Sequence, residues 1–280
     1  MSRDGAASDP TIVLSAVDLS DEDLKACCAT AYAHPAVLWL LGGELHPGGV
    51  ALTRRTLDLA ELRAGELMLD VACGSGTSAL LAASVFDAEV TGIEYGHHAV
   101  RTATEAASAA GVADHVRFLQ GDAETLAVED NRFDVVLCEC ALCTFPNQRR
   151  AVAELRRVLR PGGRLALSDV VVESGLLPGA LTEAIASIAC IGGALSSTGY
   201  RQLLDEGGFT VQRTESRPND AEAFARRIED RLRGARLLGV APPAGSPLGI
   251  EEAIEAVRQA LVQIDSGLLG YTIFIAECSK

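Results

Sequence analysis

The chain has 280 residues, 48% of them hydrophobic, and a formal net charge of −14. This length supports one large core, so we expect a single α/β unit with appended helices rather than two independent domains. The negative charge argues against a nucleic-acid substrate, because neutralising phosphates requires Lys and Arg gathered on one face. We therefore expect no nucleic-acid partner.

The sequence has no apolar run that approaches the length of a membrane span. Its first ten residues also have neither the basic region nor the apolar core of an export signal. We expect a cytoplasmic protein with no membrane partner. In that compartment the eight cysteines are expected to be thiols, so their positions bear on packing, metal chemistry or nucleophiles.

Residues 1–65 are predicted to form an N-terminal helical segment. Ser20 and Asp23 form a capping-box pattern that begins a first helix, and Pro35 suits the first turn of a second helix. A glycine-rich loop, 42–55, then leads into a third helix.

The stretch 67–83, LMLDVACGSGTSALLAA, has the pattern of a buried strand, a glycine turn and a helix. Gly74 and Gly76 permit a sharp turn and close approach to a ligand, while Ser75 or Thr77 can cap the helix. The free N–H groups of that helix face the same crevice, as in nucleotide-binding βα units. The G-x-G-x-x-G/A dinucleotide pattern is also matched, so this stretch alone does not identify the nucleotide.

Later strands end in further polar residues. Glu94 ends the second strand, where a carboxylate can accept both ribose hydroxyls of an adenosine. The third strand leads to Asp122 and the small Ala123, and the run 132–145, RFDVVLCECALCTF, supplies a fourth strand. Because helices and strands alternate regularly, we predict a doubly wound parallel sheet.

These motifs, in order, resemble those of class I S-adenosylmethionine-dependent methyltransferases. They are D-x-x-C-G-S-G, the acid after the second strand, G-D-A, F-D-V-V and L-R-P-G-G-R-L. The resemblance covers roughly residues 40–216 and the final strand. It implies a seven-stranded Rossmann-like core, residues 66–217 plus 270–280, whose sixth and seventh strands are antiparallel. Ala72 replaces the glycine that is usual in the family, and we expect little harm from it.

The resemblance implies S-adenosylmethionine as the cofactor. The residues that it places at this cofactor are Asp70, Ala72, Gly74, Gly76, Thr77, Glu94, Tyr95, Asp122, Ala123, Cys138 and His46. In related methyltransferases a segment before the first strand folds over the methionine end of the cofactor. His46, Gly48 and Gly49 are candidates for that lid, although an ordinary interhelical turn explains the same loop equally well.

Residues 218–269 lengthen what is ordinarily a short connection between the last two strands. Two helical patterns there flank the Pro/Gly-rich stretch APPAGSPLG. We predict a helical insertion that either covers the site or makes a dimer contact. The chain is accordingly expected to be a monomer or a homodimer.

The predicted acceptor position is rich in sulfur. Cys138, Cys140 and Cys143 cluster at the end of the fourth strand, and Cys190 begins the motif C-x-G-G-A-L. Cys140 and Cys190 resemble the paired cysteines with which the arsenite methyltransferase family holds trivalent arsenic. Arsenic(III) is soft and carries a lone pair, so thiolates select it and no general base is needed.

Cys27 and Cys28 complete the set of candidate catalytic cysteines. One of them could supply a third sulfur, as an N-terminal cysteine does in that family, and ordinary burial explains them equally well. A structural zinc site is not expected, because the Cys140-x-x-Cys143 pair has no matching second pair or nearby histidine.

Three interpretations of the acceptor remain at this point. The chain methylates trivalent arsenic or a similar soft centre, methylates a small organic or thiol compound, or binds cofactor or metal without catalysis. The partner expected in each of the first two cases is a small molecule or metalloid.

Overall fold

A computed structural model describes residues 20–173, 192–240 and 249–278. A seven-stranded sheet forms its centre. In chain order the strands are β1 (Leu67–Val71), β2 (Glu89–Glu94), β3 (Val116–Gln120), β4 (Phe133–Glu139), β5 (Leu159–Val172), β6 (Phe209–Ser216) and β7 (Leu269–Cys278). Across the sheet their order is β3-β2-β1-β4-β5-β7-β6. The order reverses between β1 and β4, which is where open α/β sheets bind their ligands.

The directions of the last strands agree with those that the resemblance implies. Strands β1 to β5 are parallel to their neighbours, while β7 is antiparallel to both β5 and β6. Strand β6 therefore runs with the first five strands, and the predicted antiparallel pairing of the sixth and seventh strands is confirmed. Strand β7 enters between β5 and β6 from the opposite end of the sheet, after the long insertion.

The helices lie where the hydrophobic periodicity predicts them, within a few residues. They are α1 (Asp21–Ala33), α2 (Pro35–Leu41), α3 (Gly49–Leu59), α4 (Thr77–Phe86), α5 (His97–Ala110), α6 (Gln148–Val158), α7 (Ser197–Glu206), α8 (Pro218–Leu237) and α9 (Ile250–Asp265). Residues 174–191 and most of the Pro/Gly-rich stretch APPAGSPLG lie outside the described residues.

The first two helices have the predicted caps. The Ser20 hydroxyl accepts from the Asp23 N–H at 3.2 Å, and the Ser20 N–H donates to the Asp23 carboxylate at 3.2 Å. Helix α2 has Pro35 in its first turn and ends at Gly42, whose φ of 80° favours glycine. Helix α3 already begins at Gly49, so the glycine-rich loop is shorter than predicted.

Both faces of the sheet are covered by helices, which gives three layers. Leu69 and Val71 of β1 face a core shared with α6 and α7. Met68, which precedes Leu69, faces a second core that includes side chains of α3, α4 and α8. This alternation follows from the two-residue repeat of a strand and explains why β1 is apolar on both faces.

The insertion packs against the N-terminal segment. Arg231 of α8 stacks over the Trp39 ring, with its guanidinium carbon 5.5 Å from the ring centroid. Arg227 forms an ion pair with Glu44 in the loop after α2. Helix α8 is therefore a support for the N-terminal segment, and its role as a cover or a dimer contact stays a prediction.

Within the described part of the chain, no single helix is both long and apolar enough to cross a membrane. Helices α1 and α2 reach the required length and composition only when taken together, and they meet at a bend of 66°.

Candidate active site

A cavity lies at the carboxyl ends of β1 to β4, beneath α1 and the loop that precedes α3. The space between its walls, including the mouth, is about 820 Å³. Its floor includes Ala72 and Gly74, and its roof includes Tyr32 and Leu45. This position at the strand-order reversal is the usual ligand site of such sheets.

The loop after β1 forms the floor through left-handed backbone conformations. Gly74 has a φ of 52°, and a Cβ atom there would meet Leu45 Cδ1 at 2.9 Å. Ala72 also has a positive φ, 57°. Alanine is strained in this conformation by about 1 kcal/mol or more, so the expectation of little harm from Ala72 needs correction. Gly76 is also left-handed, with a φ of 83°, and its lack of a side chain serves packing too, because a Cβ atom there would meet the Phe118 ring at 2.6 Å.

Asp70 lies beneath the loop and does not line the cavity. Its Oδ2 atom is buried and has no hydrogen-bond partner in the described structure. Burial raises the pKa of Asp70 well above its usual value, and the charges of Glu139 and Glu94 raise this pKa further. An uncompensated buried acid beside two others favours a cationic ligand nearby. Thr77 begins α4, away from the lining residues.

The polar residues after β2 and β3 line one end of the cavity. They are Glu94, Tyr95, Asp122 and Ala123, all of which the sequence places at the cofactor. The Glu94 carboxylate accepts from the N–H groups of Gly74 at 3.0 Å and Gly96 at 2.8 Å. These bonds fix the carboxylate at the cavity edge and leave it further acceptor capacity for ribose hydroxyls.

Lys25 of α1 is a functional residue that sequence reasoning missed. Its ammonium group lies 2.9 Å from the Asp122 carboxylate and 2.7 Å from the Glu124 carboxylate. Glu124 also accepts from the Asn147 N–H at 2.7 Å. The roof helix α1 is thus tied to the segment after β3 and to the start of α6. A lone lysine among the acids of α1 was the available signal.

Glu139 is the second missed residue. It ends β4, lines the cavity, and has a side chain only 5% exposed. Its Oε2 atom accepts from the hydroxyls of Ser78 at 2.7 Å and Thr53 at 2.9 Å. An acid at the carboxyl end of an otherwise apolar strand was the signal that could have identified it.

His46 lies behind the cavity wall rather than in it. Its Nε2 atom is 3.6 Å from the Glu139 carboxylate and its Nδ1 atom is 3.1 Å from the Pro47 carbonyl oxygen. Leu45 lines the cavity instead. His46 thus contacts Glu139 in this structure, and its contact with the cofactor stays a prediction. The loop that carries His46 does lie over the cavity.

The structure separates the candidate cysteines. Cys28 and Cys140 both line the cavity, whereas Cys27 does not. Cys140 has a φ of 50°, an uncommon conformation for a non-glycine residue that is often found at functional sites. Burial raises the pKa of the Cys28 thiol, and the neighbouring Cys27 raises it further. The side chain of Cys138 is fully buried in the core, so a cofactor contact by that side chain is excluded in this arrangement.

Cys190 lies outside the described residues, but Gly193 of the same motif is described. A Cβ atom on Gly193 would lie 2.2 Å from the Cys143 carbonyl oxygen, so this backbone packs directly on the loop after β4. Across residues 20–173, 192–240 and 249–278, no group of three or more His, Cys, Asp or Glu side chains is placed to hold a metal ion.

Residues 62–208 match the family model described as a methyltransferase domain, which is about half of the chain. The chain belongs to the class I S-adenosylmethionine-dependent methyltransferases. This confirms the family predicted from the ordered motifs, together with its cofactor and its seven-stranded fold.

Two curated relatives of this methyltransferase have different acceptors in their names. The 27-O-demethylrifamycin SV methyltransferase of Amycolatopsis mediterranei is 40% identical over 121 residues, which is 43% of this chain and 44% of the relative. The arsenite methyltransferase of Halobacterium salinarum is 30% identical over 190 residues, 67% of this chain and 48% of the relative. The chain thus spans about half the length of these relatives.

Solved structures share the fold. The [4+2]-cyclase SpnF has a TM-score of 0.77 at 24% identity, covering 93% of this chain and 97% of its own. Phosphoethanolamine N-methyltransferase 2 of Haemonchus contortus, in complex with S-adenosylmethionine, has a TM-score of 0.73 at 19% identity, covering 93% and 58%. At this identity the likeness concerns the fold alone.

The cavity of this methyltransferase fits the cofactor. The glycine floor admits close backbone approach, and Glu94 presents acceptor oxygens at one end. Asp70, whose Oδ2 atom has no partner in the described structure, lies under a cavity suited to positive charge. The individual binding roles of the predicted residues remain predictions.

Proposed function

We propose that the protein transfers a methyl group from S-adenosylmethionine to trivalent arsenic held by cysteine sulfur. The observation that carries this proposal is the convergence of Cys28 and Cys140 on one cavity. Cys28 comes from the roof helix α1 and Cys140 from the loop after β4, and both line the cavity floored by the cofactor loop. Two thiols from distant parts of the chain at the predicted acceptor position suit a thiophilic centre.

The third sulfur of the proposed site is Cys190. Its motif is the one that resembles the arsenite methyltransferase family, and Gly193 of that motif packs on the loop that carries Cys140 and Cys143. The Halobacterium relative, whose name specifies arsenite, supports the same acceptor.

The chemistry asks little of acid–base groups. Each arsenic–sulfur bond forms as an arsenic hydroxyl leaves with the thiol proton as water, so thiols with a raised pKa are competent ligands. When bound, S-adenosylmethionine supplies a methyl group already activated on positively charged sulfur. Cys28 and Cys140 would hold arsenic beside that methyl group, so that the arsenic lone pair would form the new bond to carbon while the carbon–sulfur electron pair would stay with sulfur. No histidine is among the described residues that line the cavity, which agrees with a reaction that needs no base.

A small organic hydroxyl compound or thiol is the alternative acceptor. The rifamycin relative is named for O-methylation, and Tyr32, Leu45 and Phe145 give the cavity apolar walls. Oxygen acceptors usually need a base within hydrogen-bond reach. In this case Glu139 is the carboxylate placed for that role at the β4 end of the cavity.

An activity screen with arsenite, methylarsenite and simple thiols and phenols tests the proposal. We expect arsenite methylation, abolished by Cys140→Ser and by Cys190→Ser with cofactor affinity nearly unchanged. The double variant should resemble either single one, because ligands to one centre act as a unit.

The matched control is Cys27→Ser against Cys28→Ser. These residues are adjacent on α1, but only Cys28 lines the cavity. We expect the Cys28 variant to lose arsenite methylation and the Cys27 variant to keep it. Full activity in Cys140→Ser, or activity on phenols alone, would reject arsenic as the acceptor in favour of the organic alternative.

A further inference from the structure

Glu139 has more partners than any role assigned so far requires. Hydroxyl donors reach its carboxylate from three elements: Thr53 of α3 at 2.9 Å, Ser78 of α4 at 2.7 Å and Ser168 of β5 at 3.5 Å. His46 adds an imidazole nitrogen at 3.6 Å. A carboxylate that is 5% exposed and held from several sides has a fixed position in the cavity wall.

The charge balance at this end of the cavity is negative. Lys25 is the cationic residue among the described lining residues, and it already pairs with Asp122 and Glu124. Asp70 lies close enough to Glu139 and Glu94 for both charges to act on it, and its Oδ2 atom has no partner. A ligand with positive charge would relieve this imbalance.

The strand order places Glu139 away from the ribose end. Glu94 ends β2 and Glu139 ends β4, with β1 between them. Neighbouring strands are about 4.8 Å apart, so the two carboxylates belong to positions roughly 10 Å apart across the cavity. If Glu94 binds the ribose, Glu139 lies toward the sulfur and the methionine part of the ligand.

We propose that Glu139 is a specificity-determining residue that favours the positively charged cofactor over its neutral-sulfur product. Methyl transfer removes the charge from sulfur, so a fixed carboxylate near that atom binds S-adenosylmethionine better than S-adenosylhomocysteine. Once the sulfur is neutral, its attraction to the Glu139 carboxylate is lost, and this loss assists release of the product. The inference rests on the cofactor assignment and is independent of the acceptor.

Calorimetry on the full chain tests this with three probes: S-adenosylmethionine, S-adenosylhomocysteine and sinefungin, which carries a protonated amine in place of the sulfonium. In Glu139→Gln we expect the ratio of the Kd for S-adenosylhomocysteine to the Kd for S-adenosylmethionine to fall roughly tenfold. Two unit charges as far apart as about 10 Å already give an effect of this size at an effective dielectric constant near 20, and a shorter separation gives a larger effect. Sinefungin should lose affinity together with S-adenosylmethionine.

Two further variants separate charge from structure. Glu94→Gln should weaken all three ligands by similar factors, because the ribose is common to them. Glu139→Asp keeps the charge and should retain most of the wild-type ratio, and it serves as the test if Glu139→Gln does not fold. The proposal would be overturned if Glu139→Gln lost affinity for all three ligands by the same factor. It would also be overturned if Glu139→Asp had the Kd ratio that we expect for Glu139→Gln. Failure of the wild type to bind any of them would instead overturn the cofactor assignment beneath it.

Discussion

Cys27 and Cys28 are neighbours in the chain with different surroundings. Successive helical residues point about 100° apart, so the sequence predicts that only one of the two faces the site. It does not say which, because that depends on how α1 is rotated against the sheet. In the structure, Cys28 is the one that lines the cavity. The same rotation of α1 places Lys25, one helical turn before Cys28, against Asp122.

Asp169 is a residue whose buried charge should be visible in the stability of the protein. It is fully buried in β5 and accepts from the N–H groups of Cys143 at 2.9 Å and Val170 at 2.8 Å. Burial raises its pKa from 3.8 to about 6, opposed most by hydrogen bonds from the Cys143 thiol and N–H. The folded state therefore binds this proton more tightly than the unfolded state.

We predict that Asp169→Asn removes the pH-dependent decrease in the free energy of unfolding that the buried Asp169 charge causes in the wild type. The charged carboxylate destabilises the folded state above about pH 6 and has no such effect below about pH 3.8. Between these values the unfolding free energy of the wild type should fall with rising pH relative to the variant, by up to about 3 kcal/mol. Urea unfolding at pH 4, 5, 6 and 7 measures this difference.

The exposed Asp230 provides the control for that measurement. Asp230→Asn should follow the wild-type pH dependence throughout. Parallel curves for wild type and Asp169→Asn would show that Asp169 titrates alike in the folded and unfolded states, contrary to the prediction.

At the scale of elements, the predicted helices and strands agree closely with the structure, and the reasons are local. The capping box at Ser20, the proline at 35 and the glycine after α2 act within a few residues of themselves. The antiparallel pairing of β6 with β7, which the resemblance implies, is confirmed. Glu139 and Lys25 were missed because their partners are distant along the chain. Lys25 pairs with residues 97 and 99 positions away, and Glu139 accepts from residues 29, 61 and 86 positions away.

The docking of α1 offers an element-scale prediction. Lys25 is 14% exposed and pairs with two carboxylates, so Lys25→Met leaves both without their cation. Loss of one partner of a mostly buried pair is costly, and we expect about 1–3 kcal/mol of lost stability. Amide exchange in residues 21–33 should accelerate, and arsenite affinity should fall because Cys28 moves with α1.

The matched control for Lys25 is Arg226, which pairs with Glu222 one turn earlier on the exposed face of α8. Arg226→Met should cost less than about 0.5 kcal/mol, as exposed helical pairs do. If Lys25→Met leaves exchange in α1 at the wild-type rate, the helix is held by its other contacts and this ion pair does not position Cys28.

At the scale of the whole molecule, the insertion and the N-terminal segment form one continuous support around the cavity. Helix α8 contacts Trp39 and Glu44, the loop from Gly42 to Gly48 continues from them, and Leu45 of that loop lines the cavity. The roof is therefore braced by residues from the far end of the chain. No local sequence pattern predicts that α8 braces the roof, because the insertion is absent from the ordinary motif order of the family.

This arrangement predicts that a substitution in the insertion loosens the roof. Arg231 stacks on Trp39, which is 50% exposed, and its Nη1 group donates to the Trp39 carbonyl oxygen. Arg231→Ala removes both contacts at a cost of roughly 1–2 kcal/mol to the local structure. We expect faster amide exchange in residues 35–48, and a severalfold weaker affinity for S-adenosylmethionine, because the looser roof must be ordered when ligand binds.

Hydrogen exchange with and without S-adenosylmethionine provides the measurement. In the wild type, ligand should slow exchange in residues 42–48 if this loop closes on it, and the slowing should be smaller in Arg231→Ala. Arg236→Ala is the control, since Arg236 lies on the same helix but pairs with Glu251 inside the insertion. Ligand protection confined to the loop after β1 in every variant would show that the roof is static and that α8 does not act on the cavity through it.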